Sequence, residues 1–174
     1  VYVVSNFFFE DQRISIAAVL LLETINFFNF VTPEFNVNIC QFPFWALSVY
    51  FAYRALDQNK LIDFVFLGVV LAFGFLSKYL FIYLILGIKL AFLLKMIEEK
   101  KFNFYYLVPG FIFLILISPH LYWLVQNDFI TIEYGLKRTG ETASFLDHIK
   151  HPIIFTLKQI GILIPFLVSV FLIL

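Results

Sequence analysis

Six long apolar runs occupy most of this chain, and they constrain its fold more than any other feature. Each is about as long as a helix that crosses a bilayer, because a hydrocarbon core of ~30 Å takes roughly 20 residues at ~1.5 Å each. Backbone groups that face lipid must be hydrogen-bonded within their own segment, so we expect helices. The sequence predicts an all-α, polytopic transmembrane helical bundle with spans at 14–31, 37–56, 62–77, 79–97, 104–125 and 152–174.

Composition supports a membrane protein and excludes several other classes. Of the 174 residues, 62% are hydrophobic and 14% are charged, and a soluble domain of this size cannot hide so much apolar surface. The net charge of zero gives no reason to expect a nucleic-acid partner. A single cysteine, Cys40, excludes a disulfide framework. The chain starts without methionine and stops inside an apolar run, so we expect residues 1–174 to be part of one transmembrane domain.

Lysine and arginine predict which side of the membrane each loop faces. Six basic residues lie in or beside short loops on one side, which we place in the cytoplasm: Arg13, Arg54, Lys60, Lys95, Lys100 and Lys101. Four lie on the other side, three of them in a long polar segment: Lys78, Lys137, Arg138 and Lys150. We therefore expect the turn 32–36, Lys78 and the loop 126–151 on the extracytoplasmic face.

Three residues near that face are candidates for chemistry. Glu34, in the turn TPEFN, could bind a divalent cation, orient a phosphate through one or act as a base; otherwise it is a solvated loop acid. Lys78 lies deep in apolar sequence, where a lysine is costly unless it meets an anion or extends to the surface. His120, after Ser118-Pro119, could donate to a phosphate or sugar oxygen or bind a metal, and otherwise is a polar group in an aromatic belt.

Polar residues also interrupt the apolar runs. Glu23, Asn26 and Asn29 share one face of the first span at three-residue steps, and we expect that face to point into the bundle. Hydrogen bonding between helices is the simpler role for them, and a proton relay is the alternative. Lys89 and Lys158 are interpreted as helix-packing or interfacial residues.

Three motifs, in order, resemble the family 39 glycosyltransferases of the dolichyl-phosphate-mannose protein mannosyltransferase superfamily, which includes bacterial aminoarabinose transferases. The first is the TPEF turn at 32–35, followed by a helix that contains PFWAL and ends in Arg54. The second is a glycine-containing span that closes in FLSKY at 75–79. The third is SPHLYW at 118–123, followed by QNDF. The match covers residues 1 to about 140.

This resemblance implies a C-type glycosyltransferase membrane domain, of which this chain is expected to be an internal fragment. Such enzymes transfer a sugar, with inversion, from a polyprenyl-phosphate donor to a lipid or protein acceptor on the extracytoplasmic face. In this chain the resemblance implies a bacterial inner-membrane location with the site facing the periplasm. It puts Glu34 near the donor phosphate and a divalent cation, and Lys78 at the lysine that follows the glycine-rich span. The principal catalytic acid is expected upstream of Val1.

Two other functional classes fit the same composition. A transporter or flippase of a lipid-linked substrate would use the intramembrane lysine and glutamate as a translocation path, and should show a repeated half. A structural membrane subunit would need no site at all.

Overall fold

The computed structural model describes residues 1–29, 33–139 and 145–173, and every regular element within these ranges is helical. This confirms the predicted all-α fold. Three segments are long and apolar enough to cross a membrane, judged by length and composition, namely Tyr79–Glu99, Phe104–Gln126 and Asp147–Leu172. The apolar helix Leu61–Ser77 is shorter. For the other predicted spans, crossing of the membrane stays a prediction.

The helices in chain order are α1 (Tyr2–Ser5), α2 (Gln12–Glu23), α3 (Asn26–Asn29), α4 (Val37–Cys40), α5 (Phe42–Gln58), α6 (Leu61–Ser77), α7 (Ile82–Glu99), α8 (Val108–Gln126), α9 (Ile130–Thr139) and α10 (Phe145–Ile173). Short 3-10 turns precede α7 at Tyr79–Phe81 and α8 at Phe104–Leu107. The chain divides into two compact units. We call Glu34–Leu121 the central unit, and Val1–Pro33 with Tyr122–Leu174 the terminal unit.

In the central unit, α6 and α7 form an antiparallel hairpin whose tip is Lys78 and Tyr79. The rings of Phe64, early in α6, and Phe92, late in α7, lie edge to face with centroids 5.8 Å apart. Both are buried in the core that α5, α6 and α7 share. Because these two residues are equally far from Lys78 along the chain, their contact requires the two helices to fold back on each other.

The opposite end of the central unit is held by two asparagines. The Asn103 side-chain amide donates to Asn59 Oδ1 over 2.6 Å, which joins the loop after α5 to the loop after α7. Asn59 and Lys100 end those two helices in the left-handed conformation, with φ of 49° and 51°. The short loops predicted to share one side of the membrane at 57–60 and 98–101 therefore lie at one end of this unit.

Small residues allow the helices of the central unit to approach one another closely. Ala52 and Ala55 of α5 are buried in the core that this helix shares with α6. A Cβ added to Gly68 would lie 2.8 Å from both the Pro109 carbonyl oxygen and Ile112 Cβ, so α6 and α8 touch there. Such contacts matter in lipid, where helices associate through packing rather than through the hydrophobic effect.

In the terminal unit, the run predicted as one helix over 14–31 is divided into two helices, and its assignment as one membrane span stays a prediction. Helix α2 ends at Glu23, and α3 begins at Asn26 after a short turn. The Thr24 hydroxyl donates to the Leu21 carbonyl over 2.6 Å, and the Asn29 side chain donates to the Glu23 carbonyl over 3.2 Å. These side chains compete with the helical hydrogen bonds, which explains the break. The end of the predicted span lies outside the described residues.

The segment 126–151, predicted as a loop, is largely helical. It contains α9, and α10 begins at Phe145 rather than at Pro152. The last helix continues through Pro152 and Pro165, although each proline removes one backbone donor and crowds the carbonyl four residues before it. The carbonyls of these prolines accept hydrogen bonds of 2.8 Å from Thr156 and Ser169. Residues 140–144 of this segment lie outside the described residues.

Candidate functional site

Lys78 lies at the hairpin tip. It is the single residue between α6 and the following 3-10 turn, and its backbone is extended. Its φ of −161° and ψ of 128° end α6, and its N–H still donates to the Gly74 carbonyl over 3.2 Å. The half-buried ammonium donates a hydrogen bond to Asn38 Oδ1. Asn38 is neutral, and no carboxylate in the described ranges forms an ion pair with Lys78. The charge of Lys78 is therefore oriented by Asn38 but not neutralised.

The turn that carries Glu34 is connected to Asn38 by local hydrogen bonds. The Asn36 side chain caps α4 by accepting from the N–H groups of Asn38 and Ile39 over 2.9 and 3.3 Å. Its amide also donates to the backbone carbonyl of Glu34 over 3.1 Å. Two asparagines thus hold the Glu34 backbone and the Lys78 ammonium in one local network. The Glu34 side chain itself is exposed.

His120 joins the same end of the central unit through Tyr79. The Tyr79 hydroxyl and His120 Nε2 form a hydrogen bond of 2.7 Å, and the two rings lie 5.7 Å apart between centroids. Phe75 stacks on Tyr79 at 5.3 Å and contacts Phe113 of α8 edge to face at 5.6 Å. The imidazole of α8 is therefore held against the hairpin tip. We call Asn38, Lys78, Tyr79 and His120 the tip cluster.

The side chains of this site do not by themselves form a metal centre. In the part of the chain that the structure describes, no three His, Cys, Asp or Glu side chains lie together so as to hold a metal ion. The Asn36 amide binds the Glu34 backbone carbonyl, and Asn38, which Asn36 caps, accepts from the Lys78 ammonium. A divalent cation at Glu34 stays a prediction of the family resemblance.

Sequence reasoning missed two of the partners in the tip cluster. Tyr79 was part of the quoted FLSKY motif, but a tyrosine in an aromatic-rich chain carries no signal of its own. Asn38 was not among the candidate residues. Contacts across 40 positions, from Lys78 to Asn38, and 41 positions, from Tyr79 to His120, are not visible in a single sequence.

A buried ion pair at the other end of α6 was also missed. Arg54 Nε lies 3.0 Å from Asp63 Oδ1, and the Asp63 side chain is only 2% exposed. Arg54 also donates to the Tyr50 hydroxyl over 2.9 Å. An aspartate at the start of an apolar run was the available signal, since a buried carboxylate requires a partner. This pair ties α5 to α6 at the end opposite Lys78.

Comparison with known protein families agrees with the motifs. The sequence model of the dolichyl-phosphate-mannose-protein mannosyltransferase family matches residues 1–123, more than half of the chain. The chain belongs to this family. Members of the mannosyltransferase family are membrane glycosyltransferases, so membership also implies an integral membrane protein that acts on a lipid-linked sugar donor. Comparisons with curated proteins and with solved structures gave no match.

Lys78, Tyr79 and His120 all lie within the part of the chain that matches the mannosyltransferase family, and so does Glu34. Tyr79 contacts His120 and Lys78 contacts Asn38, and the two pairs lie together because Lys78 and Tyr79 are consecutive residues. Glu34 enters that network only through its backbone.

Proposed function

We propose that this chain is part of a glycosyltransferase that uses a polyprenyl-phosphate-linked sugar, and that the tip cluster holds the donor phosphate. The acceptor is a lipid or a protein, and the site faces the extracytoplasmic side, the periplasm of a bacterial inner membrane. The observation that carries the proposal is the half-buried ammonium of Lys78, held by a neutral amide beside the Tyr79–His120 pair.

The chemistry of these groups suits a phosphate. An ammonium that is oriented by Asn38 but has no carboxylate partner can make a charge-assisted hydrogen bond to a phosphate oxygen. The Tyr79–His120 pair adds polar groups near the same hairpin tip. These groups lie at the end of a membrane helix, where the headgroup of a lipid-linked sugar has to be bound.

Transfer by this route is a displacement at the anomeric carbon. The bond from that carbon to the donor phosphate breaks while a bond to the acceptor oxygen forms, and the acceptor proton passes to a carboxylate. Lys78 stabilises the negative charge that develops on the leaving phosphate, which is the part of the reaction where preorganised positive charge acts most. The carboxylate base is the family's principal catalytic acid, which the resemblance assigns to no residue of this chain.

Lys78→Met in the full-length protein tests this proposal. The substitution keeps most of the apolar stem and removes the charge. Loss of a hydrogen bond to a charged group costs about 1.5–3 kcal/mol, so we expect the donor Kd to rise about 10- to 150-fold. Donor binding is measured by competition in detergent or nanodiscs, together with the amount of folded protein.

Lys89→Met is the matched control. Lys89 also interrupts an apolar helix, α7, but its side chain is exposed and outside the tip cluster. We expect wild-type donor binding in this variant. Equal donor affinity in Lys78→Met and Lys89→Met would assign Lys78 to the membrane surface and contradict its role as a phosphate ligand.

A further inference from the structure

A cavity of about 720 Å³ lies within the terminal unit, between the α2–α3 corner and α10. Its volume is in the range of ~300–1,000 Å³ that small-molecule sites usually have. One wall carries Glu23 and Asn29, and the other carries Lys158, Gly161 and Ile162. A Cβ added to Gly161 would meet no atom within 4 Å, so this face of α10 borders open space.

Lys158 is the feature of this cavity that most needs a ligand. It lies seven residues after His151, the last of the polar residues that begin α10, which corresponds to about 10 Å of helix. From there a lysine side chain extends toward the headgroup level of a bilayer. Among the described residues no carboxylate forms an ion pair with Lys158. An ammonium without an ion-pair partner at the edge of the hydrocarbon core is stabilised by an anion, and lipid phosphates lie at that level.

Glu23 supplies the opposite charge on the facing wall. Its backbone carbonyl accepts from Asn29, but no cation in the described ranges pairs with its carboxylate. Glu23 and Lys158 therefore border one cavity without contacting each other as an ion pair. A purely anionic ligand would satisfy Lys158 and be repelled by Glu23, and a cation would do the reverse. The ligand that fits both walls carries both charges.

We propose that this cavity binds a phospholipid whose headgroup carries a primary ammonium beside its phosphate. Lys158 takes the phosphate, Glu23 takes the ammonium, and the apolar face of α10 around Ile162 contacts the acyl chains. The inference goes beyond the proposed function, because none of these residues belongs to the central unit or to the tip cluster.

Lipid retention by the full-length protein tests the proposal. The protein is reconstituted into nanodiscs that contain equal phosphatidylethanolamine and phosphatidylcholine, then transferred to detergent, and bound lipids are counted by native mass spectrometry. Phosphatidylcholine has the same phosphate but a quaternary ammonium with no N–H donor. We expect a preference of about tenfold for phosphatidylethanolamine, since charge-assisted hydrogen bonds to Glu23 form only with that lipid.

Three variants separate the two walls. Glu23→Gln should reduce the preference to within about twofold, and Lys158→Met should lower retention of both lipids about tenfold. Lys89→Met, an exposed lysine of α7, should retain lipid as the wild type does. Lys158→Arg keeps the positive charge and should retain lipid, which provides a readout if Lys158→Met does not fold.

Four outcomes would overturn the proposal. The first is equal retention of the two lipids by the wild type, and the second is equal retention by Lys158→Met and Lys89→Met. The third is loss of lipid from Lys158→Arg in folded protein. The fourth is displacement of phosphatidylethanolamine by an added polyprenyl phosphate, which would assign the cavity to the sugar donor instead. Failure of Lys78→Met to alter donor binding would leave these lipid measurements unaffected, so the two proposals can fail separately.

Discussion

Gly74→Ala is expected to disturb the hairpin tip, because the fold leaves no room for one methyl group there. A Cβ at Gly74 would meet Cζ of Phe81 and lie 2.5 and 2.7 Å from its two Cε atoms, whereas ordinary contacts are 3.4–4 Å. Phe81 is fully buried and packs edge to face against Trp45, with ring centroids 5.7 Å apart. The ring would have to withdraw by about 1 Å, an overpacking that typically costs ~1–3 kcal/mol.

Gly87→Ala is the matched control for this prediction. Gly87 also lies within an apolar helix, but a Cβ there would meet nothing within 4 Å. Both variants gain the same helix propensity, about 1 kcal/mol, so that gain cancels when they are compared. The difference between them isolates the steric cost at Phe81. For a chain of this size each kcal/mol corresponds to about 2–4 °C in Tm, so a ~2 kcal/mol difference appears as about 4–8 °C.

The assay is thermal unfolding of the full-length protein in one detergent, followed by donor binding at a temperature where both variants are folded. We expect Gly74→Ala to unfold at the lower temperature and to bind donor more weakly, since Phe81 closes the 3-10 turn that follows Lys78. Equal midpoints for the two variants would refute the steric reasoning. A lower midpoint with wild-type donor affinity would separate packing at Phe81 from the position of the ammonium.

Three further predictions concern polar groups. Asp63→Asn should lower Tm more than Glu98→Gln does, because Asp63 is buried in its ion pair while the Glu98 pair is exposed. Equal unfolding midpoints for the two variants would contradict a structural role for the buried pair. Glu34→Gln should abolish transfer in folded protein, because it removes charge and keeps shape; wild-type turnover would exclude a role for that charge. If the Tyr79 hydroxyl acts only by orienting the imidazole, Tyr79→Phe should raise the donor Kd by less than His120→Phe does. A larger rise in Tyr79→Phe would make the hydroxyl the direct phosphate ligand.

Much of the candidate site followed from residue chemistry before any contact was known. Lys78 was identifiable because a lysine amid apolar sequence needs an explanation, and His120 because it ends an apolar run beside aromatic residues. Tyr79 and Asn38 could not be identified in this way, because tyrosine and asparagine are inexpensive in loops and at helix ends. Only their contacts with His120 and Lys78 give them a role.

The helix boundaries show where local pattern stops being informative. The apolar run at 14–31 predicted one helix, but Thr24 and Asn29 bond to backbone carbonyls and interrupt it. The polar segment 126–151 predicted a loop, but much of it forms helix, including the residues before Pro152. Hydropathy measures the cost of exposing side chains to water or lipid, whereas helix ends are decided by individual hydrogen bonds.

The sequence by itself determined the class of fold and the family. Apolar runs long enough for a bilayer require internally bonded backbone, and ordered motifs with fixed local spacing identify the mannosyltransferase family. Tertiary structure alone decided which polar residues meet. Lys78 is brought to Asn38, and Tyr79 to His120, because α6, which ends at the hairpin tip, packs against α4 and α8. Such contacts depend on how helix faces pack in three dimensions, and local spacing along one chain does not encode them.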